Sequence, residues 1–106
     1  MDIYDVRFLQ EAVDDLEEIV LYIAQDSQQA ALRMHDQIMA KVNDLATFPK
    51  RGRFVPDRKI AEAGFRMLVV VPYIIFYRII NQTVYIYRVV HGAMNYPILY
   101  AKMLQD

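Results

Sequence analysis

The stretch from residue 64 to residue 96 constrains the fold most, because it predicts three consecutive β-strands joined by short turns. These strands are predicted at about 64–71, 73–80 and 83–91. Asn81 and Gln82 form a plausible two-residue hairpin turn between the last two strands. Strands that are buried on both faces are nearly all aliphatic, whereas these carry three arginines and a row of tyrosines. Part of the sheet is therefore expected to face water or a partner.

Two helices are predicted ahead of these strands. Residues 3–8 alternate in the manner of a short strand, and from about Gln10 the apolar residues recur every 3.6 positions until near Asp26. Ser27 is a good N-cap for a second helix, which should end at Phe48-Pro49 because a residue before proline avoids the helical region. The two helices nearly touch in sequence, so we expect an antiparallel helical hairpin.

The remaining elements complete a single domain over residues 1–106. A basic connection spans residues 50–63, and a short amphipathic helix begins at Asn95 or Tyr96, with Pro97 in its first turn. The order β-α-α-β-β-β-α predicts an α+β fold in which the helical hairpin packs on one face of an antiparallel sheet. At 106 residues, the chain has room for one hydrophobic core.

Composition excludes several function classes. The chain has no cysteine, its two histidines are far apart in sequence and its three glycines stand alone, so we expect no metal, no cofactor and no glycine-rich phosphate loop. It shows neither a signal peptide nor an apolar run of membrane-spanning length, which predicts a cytoplasmic protein without a membrane partner. Residues 1–49 hold three basic and ten acidic side chains, whereas residues 50–106 hold nine basic and three acidic.

The hairpin turn also predicts which side chains share a face of the sheet. Counting back from it gives the cross-strand pairs Arg78–Tyr85, Phe76–Tyr87 and Ile74–Val89, on a face that His91 continues. The alternate positions are more aliphatic, so we place them against the helices and predict that the first set forms an open face. Arg88 then falls on the covered side, where we expect an ion pair with a carboxylate of the first helix.

Five motifs along nearly the whole chain carry a family resemblance. They are Phe-Leu-Gln-Glu-Ala-Val-Asp-Asp-Leu-Glu-Glu-Ile (residues 8–19), Leu45-x-x-Phe48-Pro49-x-x-Gly52-Arg53, Gly64-Phe65-Arg66-Met67-Leu68, Tyr73-x-x-Phe76-Tyr77-Arg78, and Arg88-Val89-x-His91-Gly92. In this order and spacing they resemble the toxins of the RelE/ParE superfamily from bacterial type II toxin–antitoxin modules. The resemblance implies the βααβββ toxin fold. It also implies a hetero-oligomer with a cognate ParD/RelB-like antitoxin, which wraps and neutralises the toxin.

The resemblance leaves two activities open. RelE-type toxins enter the ribosome and cleave mRNA without a metal, and a nuclease of that type would use Arg66, His91 and Tyr96 of this chain. The second arginine of such nucleases aligns with Ile74, however, and the tail reads Ala93-Met94 where cations would be needed. A sequence pI of about 6.1 also argues against a ribosome binder.

ParE-type toxins inhibit DNA gyrase and need only a binding surface. The Phe-Tyr-Arg strand and the Arg-Val-x-His-Gly ending are closer to this branch, so we predict a gyrase inhibitor of a plasmid-stabilisation module rather than an enzyme. The expected target-binding residues are Arg78, Tyr85, Tyr87, His91, Asn95 and Tyr96. A third hypothesis is a non-toxic remnant that only binds.

Overall fold

The computed structural model describes residues 3–105, which form four helices and a five-stranded sheet. The strands are β1 (Asp5–Phe8), β2 (Arg53–Phe54), β3 (Phe65–Val70), β4 (Tyr73–Ile80) and β5 (Thr83–His91). The helices are α1 (Gln10–Ala24), α2 (Gln28–Asp44), α3 (Arg58–Glu62) and α4 (Tyr96–Gln105). No helix within this range combines the length and the apolarity needed to cross a membrane.

The sheet confirms the predicted α+β class and is mixed rather than wholly antiparallel. Its strand order is β1-β5-β4-β3-β2, and the three long strands form the predicted antiparallel meander. β1 lies parallel to β5, with Val6 opposite Val84. A parallel pair is possible here because the chain leaves β1 through the helical hairpin and reaches β5 only after the meander, which gives the long connection that parallel strands need.

The helical hairpin forms as predicted and covers one face of the sheet. The Ser27 hydroxyl accepts a hydrogen bond of 3.1 Å from the Ala30 N–H and caps α2. Apolar side chains of α1 and α2 meet those of the sheet in a first core, which includes Ile19, Ile38, Val42, Leu45, Leu68, Ile75, Tyr77, Val84, Ile86 and Val89. This burial fixes which face of each strand points toward the helices.

The opposite face carries a second core, so the prediction of an open face is wrong over much of its area. Leu99 and Met103 of α4 and Ile60 of α3 pack against Phe76 and Tyr87, which are buried. Tyr96 and Tyr100 also contact the Phe76 ring edge-on. The amphipathic pattern of α4 was recognised from the sequence, but not the sheet face that its apolar stripe would cover.

A β-bulge shifts the register of β5 by one residue. The predicted pair Arg78–Tyr85 is confirmed, whereas Phe76 lies opposite Arg88 and Ile74 lies opposite Val90. The irregularity falls between Phe76 and Tyr77, where β5 contains one extra residue. Beyond it the side chains of β5 exchange faces, so Val89 joins the first core and Val90 the second.

The basic connection of residues 50–63 contains two short elements that the sequence did not predict. β2 pairs with the outer edge of β3, and the Asp57 carboxylate caps α3 by accepting a 3.1 Å hydrogen bond from the Ile60 N–H. Tyr77, in β4, holds the start of this connection in place. Its hydroxyl accepts a hydrogen bond from the Gly52 N–H and donates one to the Pro49 carbonyl, both at 2.8 Å. The buried phenol therefore ties this connection to the centre of the sheet.

Tyr77→Phe is expected to reduce the free energy of unfolding by about 2 kcal/mol, because it leaves the buried Gly52 N–H without its acceptor. Burial raises the pKa of the Tyr77 phenol above its ordinary 10.0, against the opposing effects of the Gly52 hydrogen bond and the Arg66 charge. The unfolded chain thus loses this proton at a lower pH than the folded protein. The free energy of unfolding should therefore hold up to about pH 10 and fall above it.

Urea unfolding of both proteins between neutral pH and about pH 11 checks this expectation, since the variant should show a smaller alkaline loss. A residual loss is expected in both proteins, because burial also raises the pKa of Tyr100. Equal alkaline losses in the parent and the variant would contradict the role given to Tyr77.

Candidate functional site

An ion pair between α1 and β5 stands at one end of the candidate site. Arg88 donates from Nε and Nη2 to the two carboxylate oxygens of Asp15, at 2.7 and 3.0 Å. Asp15 Oδ2 also accepts the Val89 N–H at 2.9 Å. The hydrogen bond to Asp15 raises the pKa of the Arg88 guanidinium, helped by the charges of Asp15, Glu11 and Glu18 against a smaller effect of burial. The expected pairing of Arg88 with a carboxylate of the first helix is confirmed.

His91 lies on the α1 side of the sheet, and not on the face of Tyr85 and Tyr87 as predicted. The β-bulge causes this change, and it sets the His91 ring edge-on to Tyr73 with centroids 5.8 Å apart. The Ala93 N–H donates to His91 Nδ1 at 3.1 Å, so the neutral ring carries its proton on Nε2. His91 is exposed and offers its surroundings a hydrogen-bond donor, while its only lone pair is occupied.

These residues line a groove between α1 and the ends of β4 and β5, which we call the α1–β5 groove. Its volume is about 680 Å³, and it is lined by Asp15, Glu18, Tyr22, Tyr73, Arg88, His91 and Met94, among others. Glu18 and Tyr22 were not singled out from the sequence as site residues. Their spacing of four on a helix could have indicated that they share a face with Asp15, but only the fold brings that face to His91.

The C-terminal residues of the predicted site serve mainly to close the loop after β5. Tyr96 is half-buried, and its hydroxyl donates to the Gly92 carbonyl. Asn95 is exposed, and its carbonyl accepts the Leu99 N–H at 3.3 Å in the first turn of α4. His91 and Asn95 are therefore the most accessible members of this group.

Arg78, Tyr85 and Tyr87 form a separate group toward the other end of β5. Arg78 donates from Nε to the Tyr87 hydroxyl at 3.1 Å, and its guanidinium lies over the Phe65 ring at 4.8 Å. Tyr85, its cross-strand neighbour, is half-buried. At about 3.3 Å per residue, Tyr85 and His91 lie roughly 20 Å apart along the strand. The six predicted target-binding residues thus lie toward both ends of β5, and His91 is on the face of the sheet opposite to Tyr87 and to Tyr96, which packs against the second core.

Arg66 lies apart from His91 and Tyr96, beside the basic connection. Its Nη1 donates to the Gly52 carbonyl at 2.8 Å, and its guanidinium stacks over the Phe54 ring at 4.1 Å. Ile74, where a nuclease of this fold would place an arginine, packs against the second core. Within residues 3–105 no three His, Asp or Glu side chains cluster as metal ligands.

The order of strands and helices defines a RelE/ParE-like toxin fold, and comparison with solved structures agrees. A chain of the chromosomal ParDE toxin–antitoxin system from P. aeruginosa superposes with a TM-score of 0.68 at 21% identity, covering 84% of this chain and 96% of that one. A chain of the toxin–antitoxin complex RelBE2 from Mycobacterium tuberculosis gives a TM-score of 0.63 at 26% identity, covering 84% and 98%.

Sequence comparison places the chain more narrowly. Toxin RelE2 of Caulobacter vibrioides is 41% identical over 83 residues, which cover 77% of this chain and 88% of that protein. Residues 6–96 match the family described as the ParE toxin of the type II toxin–antitoxin system parDE. The chain therefore belongs to the ParE family of type II toxins.

Proposed function

We propose that this protein arrests growth by binding DNA gyrase in the cytoplasm, and that a cognate ParD/RelB-like antitoxin neutralises it in a hetero-oligomer. The proposal makes it a binding protein rather than an enzyme. Membership of the ParE family supports the toxin class, and the charge and geometry of the α1–β5 groove favour docking over RNA cleavage.

The observation that carries the proposal is the neutralisation of Arg88. Its guanidinium charge is balanced by Asp15 through two hydrogen bonds, and Glu18 adds a further carboxylate to the same groove. Cleavage of RNA needs cations for the phosphate and a base with a free lone pair. The His91 lone pair already accepts the Ala93 N–H, and Ile74 offers no charge. This end of the sheet thus suits a protein surface better than a phosphodiester.

An apolar groove between α1 and α2 supports the antitoxin part of the proposal. It has a volume of about 430 Å³ and is lined mainly by the apolar side chains of Phe8, Val13, Leu16, Val20, Leu21 and Met39. Val13 and Leu21 are exposed, and clustered apolar surface of this kind usually marks a protein interface. The solved relatives come from toxin–antitoxin systems, so an apolar segment of the antitoxin is the partner we propose for it.

A supercoiling assay with purified gyrase, run beside a translation-dependent mRNA cleavage assay, tests the target. The protein should inhibit supercoiling and leave mRNA intact, and a double variant with His91→Ala and Asn95→Ala should inhibit at least about tenfold less. Both side chains are exposed, so folding should be unaffected. His35→Ala is the matched control. His35, the other histidine of the chain, lines the α1–α2 groove, so its substitution should not change inhibition.

A metal-independent ribosome-dependent mRNA endonuclease is the second candidate function. Two observations favour it: the similarity to a protein named RelE2, and the exposed cations Lys50, Arg51 and Arg53 beside Arg66. Transcript cleavage with supercoiling unaffected would establish it and overturn the gyrase proposal. Expression without the antitoxin separates both from a non-toxic remnant, which would leave growth unchanged.

A further inference from the structure

The α1 wall of the α1–β5 groove presents a regular stripe of side chains. Asp15, Glu18, Ile19 and Tyr22 recur at helical spacings of three and four, so they share one face of α1. Tyr73 and His91, from the ends of β4 and β5, line the same groove, and so does Met94 from the loop after β5. Ile19 is nearly buried and forms an apolar floor, whereas Glu18 and Tyr22 stand at the rim.

The charges that line this groove do not cancel. Arg88 is matched by Asp15, and no ion pair within residues 3–105 involves Glu18. Glu11 and Glu18 are both near enough for their charges to act on Arg88. The groove therefore has an excess of negative charge, which selects for a cationic occupant.

Aromatic and thioether groups line the same groove as the unpaired carboxylate of Glu18. Tyr22 is 70% exposed and lies one helical turn beyond Glu18, and the Tyr73 and His91 rings meet at 83° elsewhere in the lining. A planar cation can stack on such a ring while it forms paired hydrogen bonds to a carboxylate, which arginine does better than lysine. The arginine methylenes would lie over the apolar surface of Ile19 and Met94.

We propose that the α1–β5 groove binds an arginine side chain from a basic segment of a protein partner. Glu18 is its counter-ion and Tyr22 its stacking surface, and the Nε2–H of His91 donates to a carbonyl of the same segment. This inference does not depend on the identity of the target. It predicts the chemistry of the partner segment, which must be basic and extended enough to enter the groove.

NMR titration of the ¹⁵N-labelled full chain with a short synthetic peptide of alternating glycine and arginine tests the proposal. The amide signals of Glu18, Tyr22, His91 and Ala93 should shift together, with weak affinity. A peptide with citrulline in place of arginine has the same shape without the charge and should give no shifts. A lysine peptide should bind more weakly than the arginine peptide.

Two variants, each of which removes one negative charge from α1, make the test specific. Glu18→Gln should weaken binding of the arginine peptide about tenfold, because it removes the counter-ion. Glu17→Gln is the matched control, since Glu17 is exposed on the same helix but lines the α1–α2 groove. Absent shifts, shifts centred elsewhere, equal binding of the citrulline peptide, or equal effects of the two variants would each overturn the proposal. None of these outcomes bears on gyrase inhibition, which is measured separately.

Discussion

Asp15→Ala should lower the free energy of unfolding by about 3 kcal/mol, because it leaves Arg88 charged and without a partner in a half-buried position. The Asp15 and Arg88 side chains are only 13% and 20% exposed, so solvent replaces little of the lost attraction. The same change removes the acceptor of the Val89 N–H, next to the bulge that orients the end of β5. We therefore also expect the His91 region to become less ordered.

Urea unfolding at neutral pH measures this loss, and a neighbouring residue provides the control. Asp14 is also an acidic residue of α1, but it is exposed and, within residues 3–105, accepts a hydrogen bond only from Gln10, so Asp14→Ala should change the stability by less than about 0.5 kcal/mol. A double-mutant cycle that combines Asp15→Ala with Arg88→Ala should show a favourable coupling energy between the two side chains. Similar effects of the Asp14 and Asp15 variants would show that the ion pair does not stabilise the fold.

Gly52→Ala is the other substitution expected to have a large effect, again about 3 kcal/mol. A β-carbon at this buried position would lie 2.6 Å from the Tyr77 hydroxyl oxygen and 2.7 Å from the Met67 carbonyl oxygen. Neither atom can move freely, because the hydroxyl is held by the Pro49 carbonyl and Met67 lies within β3, paired with β4. The variant must therefore displace the basic connection from the edge of the sheet.

Gly92→Ala provides the comparison for this prediction. Its β-carbon would lie 3.4 Å from the Pro72 carbonyl oxygen, which is ordinary contact, so the loss should stay within about 1 kcal/mol. Thermal unfolding of both variants gives the measurement. A Gly52→Ala protein as stable as the Gly92→Ala protein would show that the connection is not held tightly by Tyr77.

The sequence predicted the elements that rest on local signals. The hairpin turn at Asn81, where φ is +57°, the Ser27 cap and the spacing of apolar residues in α1 and α2 each depend on a few neighbouring residues. The Arg88 ion pair was also predictable, because a charged residue on a covered face needs a counter-charge and α1 supplies many carboxylates. These features together were enough for the fold class.

The arrangement of the site was less predictable, because it depends on one extra residue in β5. Strict alternation places Arg78, Tyr87 and His91 on one face, but the bulge at Tyr87 moves His91 to the other. Nothing in Tyr-Ile-Tyr-Arg-Val indicates where a bulge will form, since the contacts made on its two sides, Arg88 with Asp15 and Tyr87 with Phe65, are to residues distant in sequence. The target-binding residues Arg78, Tyr85, Tyr87, His91, Asn95 and Tyr96 remain a prediction, now divided between two surfaces.

The parallel pairing of β1 with β5 has a consequence for how the protein folds during its synthesis. The first strand to leave the ribosome is completed only by the last one, and α4 must follow before the second core closes. Such long-range contacts form late, so the growing polypeptide cannot build its α1–β5 groove until synthesis is almost finished. The α1–β5 groove, and any binding that depends on it, would therefore be complete only when the whole domain has been made.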